Sequence, residues 1–167
     1  MLTPKIINLL CEKAKTLCVN AQTNSANLGF NLITKYPRAD LVVIDLKELR
    51  LAVHDKHSNI KTLVTKLAEN FNCETIMVTR GQEGSLCYAR EKGFFECPAL
   101  TPHTVDKVGA GDAFFSYAAP CYGVGVEEGV LSFIGNAAGA IAVHIVGNRE
   151  PVKYADFVKF VTRLLKN

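Results

Sequence analysis

The stretch DKVGAGDAFFS, Asp106 to Ser116, sets Gly109 and Gly111 on either side of Ala110 and follows them with Asp112 at the mouth of an apolar run. Without a Cβ, Gly109 and Gly111 let the backbone turn sharply and come close to an anion, and Ala110 keeps the wall small. A helix starting here would add its unpaired N–H groups, so Gly109, Ala110 and Gly111 form a candidate anion hole. An acid at a helix start is also a common cap. Residue types alone therefore leave two roles open for Asp112: capping the helix, or chemistry on a group held by the turn. Two familiar glycine loops are excluded. The phosphate loop G-x-x-x-x-G-K-[ST] is absent, and the segment before Gly109 is not the apolar strand that a dinucleotide fingerprint needs, nor is its third glycine present.

A second pair of acids, Asp45 and Glu48, follows the apolar run LVVI at i,i+3. Two carboxylates so placed can share a hydrated Mg²⁺, or serve as a cap and a solvated helix charge. His54 and His57 lack a third ligand and read as solvated surface. The glycines of GVGVEEG, residues 123–129, read as a turn between helices.

The elements that must position these residues follow from periodicity. Thr3-Pro4 is a cap and first-turn signature, and the apolar spacing behind it predicts a helix over about 3–16. LCVNA is a short strand. TNSANLGFNLITKY reads as a helix stopped by Pro37, and LVVI (41–44) as a buried strand. DLKELRLAV and SNIKTLVTKLAENFN read as helices, the second capped by Ser58 or Asn59, and TIMVT (75–79) as a third strand. Strands alternating with helices imply parallel pairing through right-handed crossovers. After Thr79 the glycine-punctuated GQEGSLCYAREKGFFEC reads as hairpins. Helices follow over about 111–122 and 126–146, with a last one over about 152–165 opened by Pro151. Phe114, Phe115 and the small residues 129–140 read as core and close helix packing.

The chain has 167 residues, 49% of them apolar, which suits one globular domain with a real core. A net charge of +3 without a run of Lys or Arg argues against a nucleic-acid surface and for a small partner. Six cysteines at spacings of 7, 55, 14, 10 and 24 make no C-x-x-C pair, so they read as buried thiols in a reducing cytoplasm. No apolar run reaches membrane length, and no leader pattern is present.

The motif D-x-x-GAGD-AF resembles the second signature of the ribokinase family of ATP-dependent carbohydrate kinases, also called the PfkB family. The resemblance implies that Asp112 is the base taking the proton from the acceptor hydroxyl, with the N–H groups of the Gly109–Ala110–Gly111 turn stabilising the transferring phosphoryl. VTRGQEGS resembles the family's T-x-G-x-x-G segment, which implies Thr79, Gly81 and Gly84 at nucleotide phosphate or ribose. GNAAGAIAV resembles the helix whose Asn lies beside adenine, here Asn136. Asp45-Leu46-Lys47-Glu48 is similar to the N-x-x-E motif that orders water around Mg²⁺, with its first residue changed. Lys107 stands where the family has Thr or Ser, Tyr117 where a small residue is usual, and Asn20 replaces the acid of an Asp-x-Asn pattern.

The implied fold is a ribokinase-like three-layer α/β/α domain, of which residues 1–167 are the C-terminal, nucleotide-binding portion: parallel strands, then hairpins, then a helical cluster. The N-terminal half, with the β lid and most sugar contacts, is absent from the matched pattern. The implied reaction is phosphorylation of a sugar or sugar phosphate by ATP with Mg²⁺, nearest the heptose-phosphate kinase branch. A homodimer, or association with the absent half, is compatible with it. A non-catalytic nucleotide-binding module derived from such a kinase is the alternative.

Overall fold

The computed structural model describes residues 2–103 and 105–166, so both ends of the 1–167 span, together with Thr104, lie outside the described residues. The chain divides into two compact units, Met1–Thr79 with Cys87–Phe94 and Arg80–Leu86 with Phe95–Asn167. Among the described residues, five strands follow one another through the sheet in chain order.

In the first unit, helix α1 (Pro4–Lys13) starts on the expected cap, Thr3 accepting from the Ile6 N–H at 3.4 Å. It stops short of residue 16 because Ala14 turns extended. Strands β1 (Cys18–Asn20), β2 (Ala39–Asp45) and β3 (Cys73–Thr79) are parallel, with Asn20 opposite Val43 and Asp45 opposite Thr79. Leu41 to Ile44 and Ile76 to Val78 are at most 1% exposed, as strands covered on both faces require. Truncating one of these to Ala costs about 2–5 kcal/mol. Helices α2 (Leu46–Ala52) and α3 (Ile60–Asn70, capped by Asn59) bury Leu49, Leu63, Val64 and Leu67.

The helix expected over TNSANLGFNLITKY does not form: residues 23–32 are irregular with turns over 25–30, and only Ile33–Lys35 makes one 3₁₀ turn. The asparagines explain this. Asn24 Oδ1 accepts from the Ala26 and Asn27 N–H groups, Asn27 Oδ1 accepts from the Asn24 N–H, and the Asn27 and Asn31 amides donate to Gln22 O. Short polar side chains thus take the bonds a helix ladder would use, and Gly29 adds a positive φ of 81°.

Strands β4 (Ser85–Ala89) and β5 (Gly93–Cys97) form one hairpin where several were expected, its turn closed by the Lys92 N–H on Ala89 O and by Gly93 at φ 85°.

The second unit is dominated by α4 (Ala110–Gly123), α5 (Glu128–Ala142) and α6 (Tyr154–Leu164). Phe114 of α4 sits so close to Gly135 of α5 that a Cβ there would lie 2.6 Å from the ring. Helix α5 ends four residues before the expected 146, and Gly147 at φ 66° turns the chain beyond it. Pro151 does not open α6; residues 151–153 lie outside the helix, and Lys153, with extended backbone, is the N-cap. Tyr117 accounts for that approach, since its hydroxyl donates to Val152 O at 3.0 Å and its ring lies 4.6 Å from Phe157.

None of the six cysteines forms a disulfide; Cys73, Cys87 and Cys97 are buried, but Cys11, Cys18 and Cys121 are only half-buried, short of the full burial expected. Burial pushes the Cys73 thiol up to about 12 and Cys18 up to about 11, which keeps both protonated and unreactive. No helix of the described residues is long and apolar enough to cross a membrane.

Candidate active site

The Gly109–Asp112 turn opens α4 one residue before the expected 111. Gly109 is the N-cap of α4 in the left-handed region, φ 82°, where a side chain is strained. A Cβ on it would also strike the Asn148 side chain at 2.6 Å. No side chain among the described residues caps α4. Ala110 N–H reaches Lys107 O and Ala113 N–H reaches Gly109 O, and the N–H groups of Gly111 and Asp112 between them have no partner among the described residues. A Cβ on Gly111 would meet nothing within 4 Å, so the space over the turn is open. Asp112 is exposed on the first turn, and its carboxylate is not the cap that the simpler reading made it.

Asp106 is the residue whose role the sequence reading missed. Its carboxylate accepts from Val108 N–H at 3.0 Å and from Gly147 N–H at 2.8 Å, while its own N–H and that of Val105 donate to Val143 O. These bonds tie the approach to the turn onto the loop after α5, and they hold the Asp106 carboxyl below its usual range. The signal was present in the sequence as an acid two residues before a backbone donor, the spacing of an Asx turn. Lys107 beside it is exposed.

The glycine turn after β3 is a 3₁₀ turn over Gly81–Glu83, closed by Arg80 N–H donating to Gly84 O at 2.8 Å. Gly84, at φ 83°, lies against β5: a Cβ there would be 2.1 Å from Cys97 O. Gly81, at φ 60°, faces open space. Asn136, half-buried on α5, donates to Ser85 Oγ, Cys97 O and Pro98 O. The structure therefore brings Gly84 and Asn136 onto the same strand ends.

In the first unit, Asp45 and Thr79 are register partners at the carboxyl ends of β2 and β3, the edge where parallel sheets bind ligands. Asp45 and Glu48 form a capping box. Glu48 N–H donates to Asp45 Oδ1 at 2.7 Å, Asp45 N–H to Glu48 Oε2 at 2.9 Å, and Thr23 N–H to Glu48 Oε1 at 2.6 Å. Burial nevertheless pushes the Glu48 carboxyl up, against the lowering effect of these bonds. Among the described residues no three His, Cys, Asp or Glu side chains gather as a metal cage. His54 and His57 are exposed, as expected.

Residues 6–153 match the pfkB family carbohydrate kinases. The chain belongs to that family. Within it, the chain is 40% identical over 80 residues to a 2-dehydro-3-deoxygalactonokinase of Haloferax volcanii, covering 47% of this chain and 24% of that protein. It is 29% identical over 138 residues to the bifunctional protein HldE of Shewanella loihica, covering 81% of this chain and 28% of HldE. Arabidopsis thaliana ribokinase, solved with ribose and ATP, superposes with a TM-score of 0.79 at 15% identity, over 95% of this chain and 53% of the ribokinase chain. The fold is therefore α/β and ribokinase-like, and the chain spans between about a quarter and about half the length of these pfkB relatives and structures.

The residues present fit the groups that pfkB kinases use. An uncapped helix start with open space above a glycine suits an anionic phosphoryl group. The capping box leaves Asp45 Oδ2 as the carboxylate oxygen without a bond in it, which suits a cation held through water better than one caged by protein.

Proposed function

We propose that this chain is the C-terminal, nucleotide-binding part of a cytoplasmic sugar kinase that transfers the γ-phosphoryl of ATP to a hydroxyl of a sugar or sugar phosphate. The observation that carries the reading is the start of α4, a glycine-capped helix end with no side-chain cap and an exposed acid on its first turn. N–H groups so aimed stabilise negative charge on a transferring phosphoryl. Asp112, one step along the same turn, takes the proton as the acceptor oxygen forms its bond to phosphorus and the bond to the leaving ADP breaks. Thr79 and Gly81 face the nucleotide, Gly84 serves it by holding the same turn against β5, and Asn136 borders the base pocket. Mg²⁺, approached through water by Asp45 and Glu48, neutralises charge on the phosphates when bound. The likeness to HldE supports a heptose phosphate as acceptor, and the six thiols without a disulfide support a reducing compartment.

The test is sugar-dependent release of ADP by the protein as it occurs, across a panel of aldoses, sugar acids and heptose phosphates. Release with one acceptor class, lost in Asp112→Asn, is the expected result. Nucleotide binding with no transfer to any acceptor would leave the chain a nucleotide-binding module.

A further inference from the structure

Asn136 has its donor side fully engaged by protein. Its Nδ2 lies 3.0 Å from Ser85 Oγ, 3.2 Å from Cys97 O and 3.4 Å from Pro98 O. A primary amide carries two N–H groups, so three acceptors already exceed what it can give singly. The acceptors are the first residue of β4, the last residue of β5 and the residue after it, so one side chain fastens the open end of the hairpin to α5.

Gly84 closes the same end from the other side. The backbone of Cys97, Pro98 and Ala99 lies 2.1–2.6 Å from where its Cβ would be, and Arg80 N–H to Gly84 O closes the turn in front. One helical step from Asn136, Gly139 faces Ala110 O, 3.6 Å from a Cβ built on it. Helix α5 thus backs the hairpin end through Asn136 and the start of α4 through Gly139.

We propose that Asn136 is a positioning residue: it holds Ser85 and Cys97–Pro98, and through them the Gly81–Gly84 turn, against the helix that backs the Gly109–Asp112 turn, and does not itself read the base. The proposal rests on the nucleotide reading above. An amide that read adenine would spend its donors on the ring, whereas here they are spent on strand ends. Its removal loosens the turn for every ligand carrying the same phosphates.

The experiment compares wild type with Asn136→Ala, well below their melting temperatures, for binding of ATP, GTP and inorganic tripolyphosphate with Mg²⁺. All three affinities are expected to fall by a common factor of about tenfold, the scale of one lost hydrogen bond, with the ATP-to-GTP ratio unchanged. A fall confined to ATP would overturn the proposal and return Asn136 to base reading. Hydrogen exchange without nucleotide provides a second measurement, since the Arg80 amide that closes the turn is expected to exchange faster in the variant. Unchanged exchange there would also overturn it. Should wild type bind none of the three ligands, the nucleotide reading fails while the exchange result still judges the positioning role. Should Asn136→Ala not fold, Ser85→Ala removes one acceptor and is expected to move affinity and exchange in the same direction by a smaller factor.

Discussion

Helices α2 and α4 both carry acids at their starts, and those acids are used in opposite ways. At α2, Asp45 and Glu48 spend three of their four carboxylate oxygens on each other's backbone N–H and on that of Thr23, which leaves only Asp45 Oδ2 outside the capping box. At α4, Gly109 replaces the capping side chain, and Asp112 is left exposed over a turn with unpartnered N–H groups. A capped start is stable and closed. A glycine-capped start forgoes only roughly a few tenths of a kcal/mol and keeps its dipole and donors for a ligand. The difference identifies which acid the fold consumes and which it leaves available to a substrate.

The comparison is broken most strongly by exchanging each acid for its amide. Asp112→Asn is expected to lower turnover by about a hundredfold to ten-thousandfold, the usual loss of a general base, with nucleotide affinity nearly unchanged. Asp45→Asn, in contrast, keeps a good cap and is expected to stay within about tenfold in turnover. Steady-state kinetics of the two variants side by side checks this, and equal losses would erase the distinction.

Gly109→Ala attacks the glycine cap. A residue with Cβ at φ 82° carries about 1–3 kcal/mol of strain, and the Asn148 contact adds to it. Asn148→Gly removes that side chain and suits its own φ of 49°, so the double variant is expected to recover part of the loss in denaturant melts.

Asp45→Ala removes the closed cap, with an expected cost of about 1 kcal/mol, read as about 2–4 °C in Tm. The smallest effect is a pH slope. Burial raises the Glu48 carboxyl above its ordinary 4.5, so its contribution to stability is full below that value and is lost as pH rises through the folded value. Glu48→Gln keeps the capping box through its one oxygen, gives up the Thr23 bond at every pH and removes the titration. The wild type is therefore expected to lose ground to Glu48→Gln as pH rises from about 4 to 7 in urea melts. Asp106, held low by the Val108 and Gly147 N–H groups, slopes the other way, its contribution lost as pH falls below 3.8.

Much of this was legible in the sequence because the signals were local. LVVI and TIMVT are continuous apolar runs that suit strands covered on both faces, and Thr3-Pro4 and Asn59 mark helix starts that the structure keeps. The Gly109–Asp112 turn could be drawn from glycine spacing alone. What misled was side-chain competition. The apolar spacing of residues 23–36 is helical, but Asn24 and Asn27 capture backbone N–H groups first, and the Asn27 and Asn31 amides capture the Gln22 carbonyl. Long-range bonds were out of reach: nothing near Asp106 announces Gly147, and nothing near Asn136 announces Cys97, because those pairs meet only once the helices pack. The capping box was half legible, since Asp45 and Glu48 have its spacing, but Thr23 as third donor depends on the folded loop.

The most direct test of the account is a titration of backbone amide resonances with Mg²⁺ and ATP. The Gly111 and Asp112 amides, free in the structure, are expected to show saturable shifts among the largest in the chain, as hydrogen bonds to phosphoryl oxygens form. Saturable binding that left both amides unmoved would contradict the claim that the uncapped start of α4 receives the phosphoryl group.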